Sequence, residues 1–338
     1  MKTQLLPPTG EALSRAAALL REGEVVGFPT ETVYGLGANA LDADAAEKIF
    51  QAKGRPGDNP LIVHISSEEE LAPLIAGEPC EAARRLMAAY WPGPMTLIFP
   101  KSPRVPERVT AGLATVAIRM PAHPVARRLI ELAKVPVAAP SANRSGRPSP
   151  TTAEDVFEDM NGRIPLILDG GACGVGLEST VIDLTGSAPR VLRPGGITQA
   201  QIEAVTQTCE VDPAVLHPLG EGERPRSPGM KYKHYAPRGE VTIFHGPGTV
   251  REICNRYDRS EDALILALEG NLSQYGDRRI ISLGPDARAM AQNLFGALRE
   301  ADRMGAKVIF CEAVEPTGVG LAVMNRLLRA AAFRVVET

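Results

Sequence analysis

A segment rich in proline and glycine interrupts the chain between residues 207 and 239, and it constrains the fold more than any other stretch. It holds five prolines, which fix φ and remove backbone donors, so a helix or strand does not extend through it. A stretch of this length without regular structure is either a linker or a functional lid. Since 338 residues suffice for two hydrophobic cores, we predict one domain at residues 1–206 and another at residues 240–338.

The second half of this segment, residues 224–239, is strongly basic. It contains five lysines or arginines, one histidine and two tyrosines, and it contains no acidic residue. A plain linker would have mixed polarity. The composition therefore favours a lid that covers an anionic ligand.

The stretch after residue 240 alternates short apolar runs with segments of helical periodicity. Strands are predicted at residues 241–244, 264–268, 279–283 and 307–311, and helices at residues 250–257, 287–304 and 321–335. This alternation indicates a small, parallel, Rossmann-like α/β domain.

The stretch before residue 207 also predicts an α/β domain. Its strands are expected at residues 25–28, 61–65, 95–99, 114–120, 135–139 and 166–169, with helices between several of them. Residues 179–184 and 190–193 flank Thr185 and Gly186 and are typical of a hairpin, which adds an antiparallel pair. Residues 29–39 are polar and rich in glycine, so we predict a turn there, followed by a helix at residues 43–52.

Charge and cysteine content exclude some classes of protein. The net charge of −3 argues against a protein that coats nucleic acid by bulk charge, so any anion site must be local. The five cysteines form no C-x-x-C pair and indicate buried thiols in a reducing, cytoplasmic setting. The longest apolar runs are too short to cross a bilayer.

Several basic residues are candidates for binding an anion. Lys53 and Arg55 follow the predicted helix, and Asn59 and His64 come a few residues later. On spacing alone such a pair is more often solvated surface, and a lone histidine in a strand is more often a core residue. Arg119 strengthens the anion hypothesis, because an arginine inside an apolar strand needs an anion or a cleft.

Short polar side chains follow the strand predicted at residues 135–139. Ser141 and Asn143 come directly off its end, where open α/β sheets tend to bind ligands, and Ser149 and Ser179 lie in or next to similar loops. Turn chemistry is the simpler explanation of such residues. The sequence has no G-x-x-x-x-G-K-[ST] loop, and Gly35-Leu-Gly37 and Gly246-Pro-Gly248 lack the third glycine of a dinucleotide site.

Seven separated motifs together resemble the YrdC-like family of threonylcarbamoyl-AMP synthases, in its long form with an extra C-terminal domain. The motifs are FPTETVYGLG (28–37), KGRP (53–56), NPLIVHI (59–65), APSAN (139–143), LEST (177–180), LRPG (192–195) and SPGMKYKHYAP (227–237). The resemblance covers nearly the whole chain. It implies an N-terminal YrdC-like domain with a twisted mixed sheet and helices, and a smaller C-terminal α/β domain.

The resemblance also implies an activity. The family joins L-threonine, bicarbonate and ATP into L-threonylcarbamoyl-adenylate and releases pyrophosphate. The product serves the threonylcarbamoyladenosine (t6A) modification of tRNA, so a tRNA-modifying transferase complex is the expected recipient. Mg²⁺ is expected on the phosphates, held largely by the nucleotide and water.

Family roles transfer to this sequence position by position. Threonine contacts are expected from Thr32, His64, Arg119, Ala139 and Ser179. ATP contacts are expected from Arg55, Asn59, Thr115, Ser141, Ser149, Arg193 and, in the linker, Tyr235. The family's K-x-R…S-x-N tetrad is matched by Lys53, Arg55, Ser141 and Asn143. One departure is Lys233, where family members often have arginine, whose planar fork lysine lacks.

Three other functions are compatible with parts of the sequence. A carbamoyl-adenylate former of the hydrogenase-maturation type is disfavoured, because zinc-finger cysteines and an acylphosphatase-like stretch are missing. An RNA-binding module would use a local basic surface, and its binding would weaken steeply with salt. An ATP-dependent regulatory module would bind ATP without turnover.

Overall fold

The computed structural model describes residues 2–217 and 235–338, and these fall into two compact units. The first comprises residues 2–145 and 149–215, and the second comprises residues 146–148, 216–217 and 235–338. The linker and lid predicted at residues 207–239 fall mostly on residues 218–234, which lie outside the described residues. The domain boundaries at 206 and 240 therefore stay a prediction.

The first unit is an α/β structure built on one mixed sheet. Its strands are β1 Gln4–Leu6, β2 Val26–Phe28, β3 Gly35–Asn39, β4 Ile62–His64, β5 Met95–Pro100, β6 Thr115–Arg119, β7 Val137–Ala138, β8 Leu166–Leu168, β9 Thr180–Asp183, β10 Arg190–Arg193 and β11 Glu210–Val211. Its helices are α1 Gly10–Arg21, α2 Ala43–Lys53, α3 Glu81–Tyr90, α4 Glu107–Thr110, α5 Pro124–Ala133, α6 Ala153–Met160 and α7 Gln199–Thr206.

The strand order brings distant parts of the sequence together. In the described residues the sheet runs β1-β8-β2-β3-β7-β4-β6-β5-β9-β10-β11. Strands β4 and β6 are parallel, with His64 opposite Arg119, and β5 is antiparallel to β6, with Thr96 opposite Arg119. Three polar residues from three neighbouring strands therefore lie side by side near the middle of the sheet.

Local signals in the sequence explain where the helices begin and end. The side chain of Thr9 accepts from the backbone of Ala12 at the start of α1, and Asp42 caps α2 in the same way. Helix α2 ends at Gly54, which has a left-handed φ of 63°. These caps fix Lys53 as the last residue of a helix, whereas the sequence predicted it in a loop.

The turn predicted at residues 29–39 is wrong in its second half, where β3 forms. Its glycines serve close packing: a Cβ on Gly37 would lie 2.7 Å from the ring of Phe28 and from Val137 Cγ1. The strand therefore has glycine where a neighbouring side chain occupies the space. After β4 the chain forms only a 3₁₀ turn at Glu68–Glu70, and the side chain of Ser67 before it provides no capping bond.

The second unit has a wholly parallel sheet, as predicted. Its strands are β12 Glu240–His245, β13 Ala263–Ala267, β14 Ile280–Ser282, β15 Val308–Glu312 and β16 Val335–Glu337, in the order β14-β13-β15-β12-β16. Its helices are α8 Thr249–Tyr257, α9 Ala287–Arg303 and α10 Val319–Ala330. The last helix is shorter than predicted, because Ala332 and Phe333 have positive φ and turn the chain into β16.

The cysteines and the helices of the described residues bear on two further predictions from the sequence, buried thiols and the lack of an apolar run long enough to cross a bilayer. All five cysteines are free thiols, and three of them are buried. None of the described helices has both the length and the apolar character that a membrane crossing needs.

Candidate active site

Arg119 lies at the centre of a buried polar cluster at the carboxyl end of β6. Its side chain is 4% exposed, and each of its three nitrogens donates one hydrogen bond. The acceptors are Gly93 O for Nε (3.3 Å), Thr32 Oγ1 for Nη1 (2.9 Å) and Glu31 Oε1 for Nη2 (2.6 Å). The arginine that the sequence singled out therefore meets an anion, and that anion belongs to the protein itself.

The charges of this cluster are set by burial and by Arg119. Burial alone would raise the pKa of Glu31, but the charge and hydrogen bond of Arg119 hold that pKa below its ordinary value. Burial, and then the charge of Arg119, lower the pKa of His64 to about 3. Its imidazole is therefore neutral near pH 7, and its Nδ1 donates to Ile62 O at 3.1 Å.

The hydroxyl groups of Thr30 and Thr32 form a directed chain. Thr30 Oγ1 donates its proton to Val33 O at 2.6 Å, so the 2.8 Å contact between the two hydroxyls has Thr32 as its donor. Thr32 in turn accepts from Arg119. Its remaining lone pair is the group it can offer to a ligand donor.

Ser179 connects the cluster to Arg193. Ser179 Oγ lies 2.8 Å from Thr96 Oγ1, on the strand next to Arg119. Arg193 donates from Nη2 to Ser179 Oγ and from Nε to Ser179 O, both at 3.1 Å. The backbone at Gly195 comes so near that a Cβ there would lie 2.4 Å from Thr180 N, so only glycine fits at this position.

Lys53 organises a second cluster, with Ser141 and Asn143. Its buried ammonium donates to Ser141 O, to Asn143 O (2.7 Å) and to Asn143 Oδ1 (3.3 Å). Ser141 Oγ also donates to Asn143 Oδ1, at 2.5 Å. Three of the four residues of the predicted K-x-R…S-x-N tetrad are therefore in direct contact.

The fourth member, Arg55, lies beside Asn59, and Asn59 is unusual. Arg55 Nη2 donates to Asn59 O at 3.3 Å. The Asn59 side chain is fully buried, yet neither its Oδ1 nor its Nδ2 has a hydrogen-bond partner among the residues described. A buried amide in this condition costs roughly 1–3 kcal/mol per unpaired group, so a ligand that pairs with it gains that free energy.

The remaining predicted residues have different surroundings. Ser149 is buried and donates to Glu178 Oε1, and Ala139 N donates to Ile62 O at 2.9 Å. Thr115 is half-buried at the start of β6. Tyr235 belongs to the second unit, where its ring packs on Phe295 at 5.1 Å, with the Arg326 guanidinium 5.8 Å from the ring centre.

The sheet register separates the first unit's residues into two ends. His64 and Arg119 lie at the carboxyl ends of β4 and β6, together with Thr32 and, through Thr96, Ser179. Asn59 precedes β4, and Thr115 starts β6, so both lie at the amino ends of these parallel strands. Thr115 and Arg119 are four positions apart along β6, about 13 Å at the usual rise per residue.

Sequence reasoning missed three polar residues of this region, Glu31, Thr96 and Glu178. Glu31 pairs with Arg119, Thr96 with Ser179, and Glu178 with Ser149. Glu31 and Glu178 both stand inside the quoted motifs, next to residues that were singled out. The signal for Glu31 that the sequence did contain is its position between Thr30 and Thr32, just before a strand.

Family models match both parts of the chain. A model described as "Telomere recombination", for the Sua5, YciO and YrdC proteins, matches residues 18–195. A second, described as "Threonylcarbamoyl-AMP synthase, C-terminal domain", matches residues 197–332.

Similar proteins span the full length of the chain. A Pyrococcus abyssi protein named threonylcarbamoyl-AMP synthase is 49% identical over 95% of this chain and 94% of its own. A Bacillus subtilis protein of the same name is 48% identical over 99% of this chain and 97% of its own. The crystal structure of P. abyssi Sua5 complexed with L-threonine matches with a TM-score of 0.92 at 46% identity, covering 100% of this chain and 99% of that one.

Proposed function

We propose that this chain, which belongs to the long form of the threonylcarbamoyl-AMP synthase family, makes L-threonylcarbamoyl-adenylate from L-threonine, bicarbonate and ATP and releases pyrophosphate and water. It is a nucleotidyltransferase whose product serves the t6A modification of tRNA. The observation that carries this proposal is the buried cluster around Arg119, to which Thr32, His64 and Ser179 are joined by hydrogen bonds or strand register.

The carboxyl end of β4 and β6 suits threonine. Arg119 offers N–H groups in a fork that matches the threonine carboxylate. Thr32 Oγ1 and the neutral imidazole of His64 are uncharged polar groups of the kind that pair with a hydroxyl. Ala139, whose backbone lies next to Ile62, and Ser179 complete the proposed set.

The amino end of the same strands suits the nucleotide. The unpaired carboxamide of Asn59 can both donate to and accept from an adenine edge or a ribose, and Arg55 provides positive charge for phosphates. Arg193, which donates to Ser179, adds positive charge for phosphates from the carboxyl end. Thr115 and Ser141 add hydroxyls at this end, and Ser149, which donates to Glu178 next to Ser179, adds one from the carboxyl end. Tyr235 remains a proposed ATP contact from the linker.

The chemistry proposed for this site is displacement at phosphorus. An oxygen of the threonine carbamate forms a bond to the α-phosphorus of ATP, and the bond from that phosphorus to pyrophosphate breaks. Positive side chains stabilise the charge that builds up as two anions approach. Lys53, at the end of α2, supports this step by holding the loop of Ser141 and Asn143, because its ammonium donates to the backbone oxygens of both residues.

Mg²⁺ fits this proposal as a companion of the ATP phosphates. No group of three or more metal-ligating side chains that could hold an ion occurs among the described residues. Hard cations at nucleotide sites commonly take most of their ligands from phosphates and water. When bound, Mg²⁺ would neutralise part of the phosphate charge. We also propose a cytoplasmic location and transfer of the product to a tRNA-modifying complex.

The test is pyrophosphate release from ATP, with threonylcarbamoyl-adenylate identified by mass spectrometry. We expect release to require threonine and bicarbonate together, and Lys53→Ala and Arg55→Ala to abolish it. Release at the same rate without threonine would contradict the synthase. Saturable ATP binding without turnover would point to the regulatory module.

A further inference from the structure

Glu31 is a buried carboxylate beside Arg119 that the proposed function leaves without a role. Its Oε1 accepts from Arg119 Nη2 at 2.6 Å, and its Oε2 accepts from the backbone N of His123 at 3.3 Å. The side chain is 16% exposed, against 4% for Arg119. It is thus the more accessible member of a largely buried ion pair.

Arg119 retains donors for a ligand while Glu31 stays in place. A guanidinium carries five N–H groups, one on Nε and two on each terminal nitrogen. Gly93 O, Thr32 Oγ1 and Glu31 Oε1 take one from each nitrogen. In the described structure one N–H therefore remains on Nη1 and one on Nη2, and these are available to a ligand carboxylate.

The charge of the cluster matches a zwitterion. Arg119 contributes one positive charge and Glu31 one negative charge, and the neighbouring His64 is neutral because burial lowers its pKa. His123, on the far side of Glu31, also has a pKa lowered by burial. A site with Arg119 alone would prefer a net anion and would repel an ammonium group placed beside it.

An α-amino acid presents its two charges on neighbouring atoms. The carboxylate and the ammonium are both attached to the α-carbon, so an ammonium lies close to any arginine that binds its carboxylate. Glu31 is the carboxylate beside that arginine. The ion pair Glu31–Arg119 therefore presents to such a ligand the opposite of the ligand's own dipole.

We propose that Glu31 binds the α-ammonium group of the threonine substrate and selects α-amino acids over acids that lack the amine. This inference rests on the proposed function, since it assumes that Arg119 holds the threonine carboxylate. Glu31 acts as a counter-ion, because its carboxylate stays ionised beside Arg119. A carboxylate with a lowered pKa is a weak base, so it does not remove a proton from the ammonium group.

A purely structural role for Glu31, as the counter-ion of Arg119, makes a different prediction. Loss of such a counter-ion disturbs Arg119 and weakens every carboxylate ligand alike. The proposed role weakens ligands that carry the amine. L-Threonine and (R)-3-hydroxybutyrate, which keeps the carboxylate and the hydroxyl but lacks the amine, separate the two roles.

The experiment measures the dissociation constants of both compounds by calorimetry, for the wild type and for Glu31→Gln. We expect the wild type to prefer threonine, and Glu31→Gln to weaken threonine binding by about 10- to 100-fold, the usual worth of one charged hydrogen bond. Binding of (R)-3-hydroxybutyrate should change less than about twofold or become tighter, because the cluster loses a negative charge and keeps the positive charge of Arg119.

Glu70→Gln is the matched control. Glu70 also accepts from one backbone N–H and one further donor, Ser66 N at 3.0 Å and Ser66 Oγ at 2.6 Å, but it lies outside the cluster. It should leave both dissociation constants unchanged.

Three results would overturn the role of Glu31. They are equal weakening of both ligands in Glu31→Gln, no weakening of threonine, and a wild type that binds (R)-3-hydroxybutyrate as tightly as threonine. The last comparison uses no variant, so it stands even if Glu31→Gln does not fold. A wild type that makes the adenylate while giving one of these results refutes this inference alone, whereas a wild type without threonine-dependent turnover refutes the proposed function.

Discussion

The two ends of strands β4 and β6 differ in how their polar groups are satisfied. At the carboxyl end, Thr32, Arg119 and Ser179 all have protein partners in place. At the amino end, both polar atoms of the buried Asn59 side chain lack a partner among the described residues. One end is thus organised by the protein itself, and the other is completed by whatever binds there.

The difference has an energetic consequence. Satisfied groups hold their geometry before a ligand arrives, so little order is lost on binding. An unpaired buried amide lowers the stability of the free protein, and a ligand that pairs with it restores that stability through linkage. At the carboxyl end, the existing hydrogen bonds therefore orient the side chains before a ligand binds. At the amino end, ligand binding itself adds to the stability of the protein.

The strongest test of the organised end is Arg119→Met. The change leaves Glu31 buried without its counter-ion, so the free energy of unfolding should fall by about 3–5 kcal/mol. The affinity for threonine should fall by roughly 100-fold or more. Urea denaturation and calorimetry measure the two effects. Arg128→Met, which removes an exposed ion pair with Glu131, should change neither; an Arg119→Met protein of wild-type stability would break the comparison.

Lys53→Met tests the loop that carries Ser141 and Asn143 separately from the cluster around Arg119. It removes the ammonium that holds Ser141 and Asn143 while keeping most of the side-chain volume. We expect kcat for pyrophosphate release to fall by about 100-fold, with the dissociation constant for threonine unchanged. Steady-state kinetics and calorimetry give the two numbers. If threonine binding weakens as much as kcat falls, the loop of Ser141 and Asn143 and the cluster around Arg119 are energetically coupled.

Asn59→Leu tests the unsatisfied end with opposite signs for stability and binding. Leucine has a similar shape and no polar atoms, so the free protein should become more stable by about 1–3 kcal/mol. The affinity for ATP should fall about tenfold, since the proposed hydrogen bonds to the nucleotide are lost. Thermal unfolding with and without ATP measures both. A variant less stable than the wild type would show that the Asn59 amide is satisfied in solution.

The smallest expected effect is a pH dependence that comes from His64. Its pKa is about 3 in the folded protein and about 6.5 when unfolded, so acid favours the unfolded chain, which takes up the proton. Stability from this group is full above pH 6.5 and is lost as the pH falls below it, by about 1 kcal/mol between pH 7 and 5.5. His64→Gln should lose less stability over this range than the wild type. A variant at the exposed His217 should lose as much stability as the wild type. Equal losses in the wild type and in His64→Gln would mean that His64 is not held neutral.

The sequence predicted much of the fold because its signals are local. The cap at Thr9, the proline at the start of α5 and the alternation after residue 240 place elements close to where they form. Strand β3 was missed because glycine has two uses. At Gly37 it makes room for Phe28 and Val137, and that reason exists only once the sheet has assembled.

The candidate site was predicted by motif and explained by the fold. The sequence could flag Arg119 as a buried charge, but it could not supply Glu31 as its partner, because 88 positions separate them. Asn59 was placed among the ATP residues by resemblance alone. Its lack of a partner, the physical reason to expect a ligand there, follows from burial that no local pattern encodes.

Strand β8 determines when strands β1 and β2 can pair during synthesis of the protein. Both β1 and β2 pair in parallel with β8, so residues near position 5 and position 27 wait for residues near position 167. At ribosomal rates of about 5–20 residues per second, this wait is on the order of ten seconds. Until then the nascent chain carries an apolar strand, β2, whose β8 edge has no partner, and such an edge is open to pairing with other chains. The cluster around Arg119, which is joined through Thr96 to Ser179 and Arg193, is completed only after β8 has closed that edge.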